Sequence, residues 1–404
     1  MLANRQTECG NIGRRDFLGG AVGALAAIAA GGCATMTGPG ATSTREATAM
    51  FAYVGCYTTR QRHARGEGIN VYRVDPASGQ WTHVQLVGDL VNPSWLTLDR
   101  QQRFLYSGHG DGEHATAFAI DKPTGQLKLL NQQSTGGKNG VRVAVDPTSH
   151  FLVVGNYASG TVAVLPINRE GSLAPLSHLV TLTGNPGPHR VEQASSHPHD
   201  VPFDRTGRFI VVPDKGLDKV FVYTLDTASG TLVANDPPAV TTRPGAGPRH
   251  VDFHPGQPYA YVINELDSTI TTYRFDPMQG QLKPLQVIPT LPPSFTGNNT
   301  TSEIAVAPSG RFVYGSNRGH DSIVIFAVDE ASGALAPVGW EPTQGKTPRF
   351  FALDPSGTFL YVANQDSDTI VCFRVDQATG KLLPTGHVVK TGSPSSIVFL
   401  YWAA

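Results

Sequence analysis

Residues 247–255 read GPRHVDFHP, a short stretch that holds one arginine, one aspartate and two histidines. Arginine donates paired hydrogen bonds to anionic groups, and histidine exchanges protons near neutral pH, so Arg249 and His250 form a candidate site for an anionic substrate. His250, Asp252 and His254 share one strand face, which is also compatible with a metal trio. A polar strand end without chemistry is the third interpretation. Related segments elsewhere in the chain help to choose among the three.

Two turn motifs recur along the chain and indicate internal repeats. The first motif has Asp or Asn, small residues, Gly and then Leu or Trp, and it occurs seven times, from DPASGQW at 75 to DQATGKL at 376. Its glycines lie 46 to 59 residues apart. The second motif, as in FDRTGRFIVVPD and LDPSGTFLYVAN, alternates with the first in six clear copies. A period of about 50 residues with two hairpin turns per unit is typical of a four-stranded propeller blade.

The two ends of the repeat region predict how the ring closes. The region begins at FAYVGCYTT, which matches the second strand of a blade, and it ends at SPSSIVFLYW, a degenerate first strand. Pairing these two ends completes a blade and removes two open sheet edges. We therefore predict an all-β fold, a single seven-bladed β-propeller over residues 51–404. The protein is expected to be a monomer.

The repeat also predicts which residues face one mouth of the central channel. The start of the innermost strand and the loop after the second strand lie on the same face of a blade, here called the top face. At these positions the blades differ from one another, whereas the turn motifs are alike. Divergence on a constant scaffold is what a site grafted on a fold should show. The ionisable residues at these positions include His199, Lys215, Arg249, His250, Glu265, Glu303, Arg318 and Arg349.

The charge balance at this mouth is mainly cationic, which favours a small anionic molecule bound through arginine. The metal trio is disfavoured because His254 belongs to the turn at the opposite end of the strand. The longest interval between repeats, Gly171 to Gly230, adds a loop on the same face. Extra length beside a mouth is typical of a lid or a binding loop. That loop carries His189, Arg190, Glu192, His197 and His199, and the HPH at 197–199 is a weaker alternative metal site.

The N-terminal residues are predicted to be an export signal outside the fold. Arg14 and Arg15 precede Phe17 and an apolar run, as in a twin-arginine signal. That run is too short and too rich in Ala and Gly for a membrane span. We assign residues 1–33 to the signal and 34–50 to a flexible linker, so the partner is the twin-arginine export machinery and the protein is periplasmic or secreted. A lipid anchor on Cys33 would attach it to a membrane, and this alternative stays open.

Composition excludes other classes of partner. The net charge of −1 gives no electrostatic reason to expect nucleic acid. Cys9 leaves with the signal, while Cys56 and Cys372 lie in apolar runs and are interpreted as buried free thiols, with a disulfide between them as the alternative. No Cys/His cluster has zinc spacing, so neither a metal nor another cofactor is expected.

Four segments resemble the seven-bladed propeller lactonases, a family that includes bacterial 6-phosphogluconolactonase and fungal 3-carboxy-cis,cis-muconate cyclase. The segments are PHDVPFDRTGRFIVVPDKGLDKV, GAGPRHVDFHPGQPYAYVINELDSTI, SNRGHDSIVIFAV and TPRFFALDPSG, and the resemblance covers roughly residues 51–400. By position, the family's histidine, arginine and glutamate fall on His199, Arg249 and Glu265, and a further arginine falls on Arg318. The resemblance implies lactone hydrolysis or the reverse ring closure. A non-catalytic exported ligand-binding propeller is the competing class.

Lactone hydrolysis needs a group that deprotonates water and donors that stabilise the oxyanion. The resemblance makes Glu265 or His199 the base, with Arg249 offsetting the developing charge. The export signal argues against a cytosolic role on 6-phosphogluconolactone and favours another sugar lactone, such as gluconolactone. No metal is required. The expected substrate contacts, beside Arg318, are Lys215, His197, His250, Glu303 and Arg349.

Overall fold

A computed structural model of the protein describes residues 50–401, so the predicted signal, Cys33 and the predicted linker up to residue 49 lie outside the described residues. The described part is almost entirely β, with two 3-10 turns at Arg60–Arg62 and Gln365–Ser367. None of its helical segments is long and apolar enough to cross a membrane.

Within residues 50–401 the strands are β1 (Met50–Cys56), β2 (Ile69–Val74), β3 (Trp81–Val87), β4 (Trp95–Leu98), β5 (Phe104–Gly108), β6 (His114–Asp121), β7 (Gln126–Ser134), β8 (Gly140–Val145), β9 (Phe151–Asn156), β10 (Thr161–Pro166), β11 (His178–Thr181), β12 (Phe209–Asp214), β13 (Lys219–Asp226), β14 (Thr231–Thr241), β15 (Pro248–Phe253), β16 (Tyr259–Asn264), β17 (Thr269–Asp276), β18 (Gln281–Pro289), β19 (Thr300–Val306), β20 (Phe312–Arg318), β21 (Ser322–Val328), β22 (Leu335–Pro342), β23 (Pro348–Leu353), β24 (Phe359–Asn364), β25 (Thr369–Val375), β26 (Leu382–Lys390) and β27 (Pro394–Tyr401).

These strands form seven antiparallel sheets, which are the seven blades of a β-propeller, as the repeat predicted. Six blades contain four strands each. In five of them the four strands are consecutive in the chain, and in the ring-closing blade the order is β27-β1-β2-β3. β1 pairs with β27 from Met50 opposite Tyr401 to Cys56 opposite Pro394. The predicted pairing of the two ends of the repeat region is therefore confirmed.

One predicted strand is not regular. We expected His199 to begin the innermost strand of its blade, but residues 198–203 make only isolated bridges to β12, and that sheet has three strands. Proline has no backbone N–H to donate to a ladder, and Pro198, Pro202 and Pro213 all lie in these two segments. The backbone N–H of His199 still donates to the carbonyl of Pro213 at 2.9 Å, which holds the segment in the innermost position.

Neighbouring blades are joined by a repeated tyrosine contact. A buried tyrosine on the second strand of a blade donates its hydroxyl to the carbonyl of a turn glycine in the next blade, as from Tyr53 to Gly125 at 2.9 Å. Gly125 has a φ of 73° and lies against the ring of Phe51, so a Cβ there would come 2.4 Å from that ring. The repeat motifs therefore also specify the blade-to-blade packing. The equivalent pairs are Tyr106 with Gly171, Tyr261 with Gly333, Tyr314 with Gly380 and Tyr361 with Gly79.

Cys56 and Cys372 are both buried free thiols, which is the first of the two interpretations of these residues. Both side chains pack in one apolar cluster between the ring-closing blade and its neighbour. Burial raises the pKa of the Cys56 thiol to about 12, so this residue acts as a small apolar side chain.

Candidate active site at the top face

A cavity of about 200 Å³ opens at the top face of the channel. Its walls come from the starts of innermost strands and from the loops after second strands, the two positions that the repeat predicted. Directly below it the channel narrows to a space of about 10 Å³, which Arg249 and His250 line together with His199 and Arg349. The cavity is lined by Arg62, Asn139, Val141, Tyr157, His199, Lys215, Glu265, Arg318 and Arg349.

Glu265 lies at the centre of a buried ion cluster. Its Oε2 accepts a hydrogen bond from Nε of Arg249 at 2.9 Å. Its Oε1 lies 3.3 Å from Nζ of Lys215 and 3.3 Å from Nη2 of Arg318. Burial alone would raise the pKa of Glu265, but Arg318, Lys215 and Arg249 together hold it well below its usual value. Glu265 is therefore an anion at neutral pH that holds three cations in place.

Arg249 is fixed on two sides. Besides its bond to Glu265, its Nη1 donates to the backbone carbonyl of Ser302 at 2.7 Å. Burial lowers the pKa of Arg249 to about 9, with Glu265 opposing and Arg318 and Arg349 adding to the shift. The guanidinium still carries its charge at neutral pH.

His199 offers a neutral ring beside this cluster. The ring centre lies 5.1 Å from that of His250 and 5.4 Å from that of Tyr157. Its Nδ1 is buried without a hydrogen-bond partner among residues 50–401. Burial, followed by the charge of Arg249, lowers the pKa of His199 well below its usual value. A neutral imidazole in a cavity can accept a proton from a water molecule.

Lys215 connects the ion cluster to the long loop that precedes β12. Its Nζ lies 2.7 Å from Oε2 of Glu192, closer than its distance to Glu265. Gln193, which sequence reasoning did not single out, donates from Nε2 to the backbone carbonyl of Lys215 at 2.8 Å. The loop thus borders the cavity, and Glu192 offsets part of the positive charge there.

Arg349 is the cavity cation with the fewest polar contacts. Its guanidinium carbon lies 5.1 Å from the ring centre of Tyr57. Lys215, Arg249 and Arg318 each pair with a carboxylate. Among the ion pairs formed within residues 50–401, Arg349 has none. Its charge is therefore available to a ligand.

Three predicted substrate contacts do not line the top cavity, and one of them, His250, lines only the narrow space below it. His197 stacks on the ring of Tyr157, with ring centres 4.4 Å apart and planes 10° apart, and its Nδ1 lies 3.0 Å from the carbonyl of Tyr157. It therefore supports a cavity residue and does not line the cavity itself. Glu303 lies below the narrow part of the channel, where its Oε1 is 3.1 Å from Nδ1 of His250.

Glu303 faces a second cavity, of about 350 Å³, at the lower end of the channel. Trp95 and Arg142 close the inner end of this cavity, and Pro308 and Pro355 belong to its outer rim. Arg142 pairs with the buried Asp200 at 2.6 Å and lies 3.7 Å over the ring of Trp95. Trp95, Arg142 and Asp200 separate the upper end of the channel from the lower end.

A pH experiment follows from the position of Glu303. Burial raises its pKa from 4.5 to about 8, so the folded protein keeps a proton that the unfolded chain releases above pH 4.5. Wild-type stability should then fall as pH rises between these values, and Glu303→Gln should remove this fall. We expect the stability of the variant relative to wild type to grow by up to about 1.4 kcal/mol per pH unit. Urea unfolding at pH 5, 6, 7 and 8 measures it.

The control for this experiment is Glu330→Gln, which replaces an exposed carboxylate on a turn. Its stability relative to wild type should not change with pH. A constant difference for Glu303→Gln over the same range would show that Glu303 is ionised throughout, contrary to the structure.

The metal interpretation of GPRHVDFHP finds no support in the geometry. Asp252 Oδ2 accepts the backbone N–H of Val306 at 2.8 Å, and His254 Nδ1 accepts that of Gln257 at 2.8 Å. His250 contacts Glu303 instead. Across residues 50–401, no group of three or more His, Cys, Asp and Glu side chains is arranged to hold a metal ion.

Sequence reasoning missed cavity residues at the ring closure. Arg62 belongs to the 3-10 turn after β1, where its Nη2 donates to Asp111 at 2.6 Å and its guanidinium carbon lies 4.5 Å from the ring centre of Tyr57. This turn, in YTTRQRHARG, is the seventh of the loops that follow second strands. The sequence comparison covered only the loops after the other six second strands, and including this seventh loop could have identified Arg62.

The model of the family described as "Lactonase, 7-bladed beta-propeller" matches residues 51–399. The chain belongs to this lactonase family. Among its relatives is a 6-phosphogluconolactonase of Bacillus subtilis, which is 37% identical over 307 residues that cover 75% of this chain and 85% of the relative. A second, the 6-phosphogluconolactonase of Formosa agariphila, is 36% identical, with 74% and 85% covered.

A solved structure is similar to this chain over most of its length. The periplasmic gluconolactonase of Pseudomonas aeruginosa is 34% identical, with a TM-score of 0.81 and coverage of 87% of this chain and 99% of that protein. This similarity and the family match agree with the resemblance inferred from the four sequence segments.

Proposed function

We propose that this protein hydrolyses a sugar lactone in the top cavity. The observation that carries the proposal is the placement of a neutral His199 beside Glu265, which three cations surround. Water attack on a lactone carbonyl needs a proton acceptor for the water and positive charge for the oxyanion. This cavity offers both. The relatives named as 6-phosphogluconolactonase and gluconolactonase support the same reaction.

His199 is the base in this proposal. Both oxygens of Glu265 already face the cations Arg249, Lys215 and Arg318, whereas Nδ1 of His199 has no hydrogen-bond partner among the described residues. The neutral ring of His199 takes the proton of the attacking water. The new bond joins the water oxygen to the carbonyl carbon, the ring C–O bond breaks, and the leaving oxygen receives the proton from His199. Arg249 and Arg318 stabilise the negative charge on the carbonyl oxygen.

We further propose that the lactone carries an anionic group. Lys215, Arg249, Arg318 and Arg349 outnumber the two carboxylates of the site, Glu265 and Glu192. A buried excess of positive charge favours a phosphate or carboxylate, and Arg349 with Lys215 would hold it.

The Arg349→Met variant tests this role. The methionine keeps much of the apolar stem but removes the charge, so the KM for a phosphorylated lactone should rise about tenfold, corresponding to about 1.4 kcal/mol. The KM for the uncharged lactone of the same sugar should change less than about twofold. Steady-state rates on the two lactones give both values. Equal increases in KM for both lactones would show that Arg349 does not bind the anionic group of the substrate.

Export through the twin-arginine route is part of the proposal. Its support is the pair Arg14-Arg15 before an apolar run, together with the similarity to a protein named periplasmic gluconolactonase. An exported enzyme meets lactones outside the cytoplasm, so uncharged gluconolactone is tested beside its phosphorylated form, which the charge of the cavity favours.

A substrate panel tests the proposal and its alternatives. Purified protein is assayed on glucono-δ-lactone, its 6-phosphate, a γ-lactone and 3-carboxy-cis,cis-muconate, with spontaneous hydrolysis subtracted. Acceleration of a sugar lactone supports the proposal, whereas ring closure of the muconate alone supports a cyclase. Binding of a lactone without acceleration of any would identify a ligand-binding propeller and overturn the proposed reaction.

A further inference from the structure

Arg249 reaches a third neighbour, which the proposed reaction does not use. Its Nη1 lies 3.1 Å from each of the two ring nitrogens of His250. Both residues are almost fully buried, so no solvent can replace this contact. A protonated imidazole would offer only donors to the guanidinium and would repel it. Contact between the two side chains therefore requires His250 to be neutral.

Glu303 decides which nitrogen of His250 carries the proton. Its Oε1 accepts the backbone N–H of Ile304 at 3.1 Å and lies 3.1 Å from Nδ1 of His250. With the carboxyl proton of Glu303 on Oε2, which has no hydrogen-bond partner among residues 50–401, Oε1 accepts from both groups and the ring proton lies on Nδ1. The lone pair of Nε2 is then free to accept from Nη1 of Arg249. The opposite tautomer would present an N–H to the guanidinium.

We propose that Glu303 and His250 are positioning residues for Arg249, connected in the order Glu303, His250, Arg249, Glu265. Glu303 reaches the lower cavity and His250 the narrow part of the channel, and neither lines the top cavity. We assign their effect on the reaction to the orientation of the guanidinium, although the ring of His250 also lies 5.1 Å from that of His199. This replaces the substrate contacts that the sequence predicted for both residues.

Two substitutions of Glu303 distinguish the effect of its hydrogen bonding from the effect of its side-chain shape. Glu303→Leu keeps a side chain of similar length but removes the acceptor for Nδ1–H, so His250 can rotate and Arg249 loses its third contact. We expect kcat to fall about 10- to 100-fold with KM changed less than about threefold, since small misplacements of a charge-stabilising group reduce rate more than binding. Glu303→Gln keeps the Oε1 acceptor and should restore most of the lost kcat.

The pH dependence of kcat is a second measurement, and it would not change if Glu303 only stabilised the fold. Arg142, Arg249, Asp200 and His250 are the ionisable groups that face Glu303. When Glu303 loses its proton, its charge competes with Glu265 for Arg249, so wild-type kcat should fall as pH rises past about 8. Glu303→Gln should keep its kcat to higher pH. This comparison remains decisive if Glu303→Leu does not fold.

The kinetic predictions for the Glu303 variants rest on the proposed lactonase function. Crystal structures distinguish a failure of that proposed reaction from a failure of the positioning role. If wild type cleaves no lactone, the reaction is wrong, but a Glu303→Leu structure still shows whether the contact between Arg249 Nε and Glu265 is lost, as we expect. An unmoved Arg249, an unchanged kcat in Glu303→Leu, or an equal loss in Glu303→Gln would each overturn the positioning role.

Discussion

The Glu265→Gln variant is expected to lose about 3 kcal/mol of stability and at least about 100-fold in kcat/KM. Glu265 is the common partner of Arg249, Lys215 and Arg318, and its side chain is only 11% exposed. Removing its charge leaves these cations buried without compensation, apart from the contact of Lys215 with Glu192. Urea unfolding at pH 7 measures the stability, and steady-state rates on the best lactone measure the activity.

Glu303→Gln is the matched control, because it makes the same substitution at another buried glutamate of the same channel. Glu303 holds its proton at pH 7, so the amide replaces a neutral group by a neutral group of the same shape. Its stability should equal or exceed that of wild type. Equal losses of stability in the two variants would contradict the assignment of Glu265 as the anionic centre of the site.

His199→Asn is expected to lower kcat by about 10²- to 10⁴-fold, the usual contribution of a general base. The fold should tolerate it, because Nδ1 of His199 has no hydrogen-bond partner within the described residues that the change would break. We expect the melting temperature to stay within a few degrees of wild type. Thermal unfolding and initial rates on the same preparation give both quantities.

The control for His199→Asn is His150→Asn, which makes the same change at an exposed turn on the other side of the blades. If His199→Asn keeps more than about a tenth of the wild-type kcat, His199 is not the base, since a general base contributes at least about 10²-fold. The role would then pass to Glu265, the alternative that the sequence left open.

The blades and the ring closure could be predicted because the repeated turns carry the information locally. Each Asp–Gly turn marks one hairpin, and the apolar run before it marks one strand, so the period counts the blades. Residues 198–203 were predicted less well. Three prolines there and in β12 remove ladder donors, and this local effect prevails over the pattern shared by the other six blades.

The repeat predicted which mouth of the channel holds the site, but not how deep in the channel each residue lies. β15 starts with a register shift between Pro248 and His250, so the simple alternation of faces fails at this point. Arg249 and His250 both line the narrow space below the cavity, but Arg249 contacts Glu265 and His250 contacts Glu303. A repeat alignment assigns both residues to one mouth because it records order along the strand and not the local irregularity. Similar shifts occur in β8, β19 and β23.

The most direct test of the central claim is the rate at which purified wild-type protein opens glucono-δ-lactone and its 6-phosphate, followed by acid release at pH 7 and compared with His199→Asn. The structure predicts a rate proportional to wild-type concentration and well above the spontaneous rate for at least one of the two lactones, and a rate close to the spontaneous one for the variant. Wild-type and variant rates that both equal the spontaneous rate would contradict the claim that this cavity hydrolyses a sugar lactone.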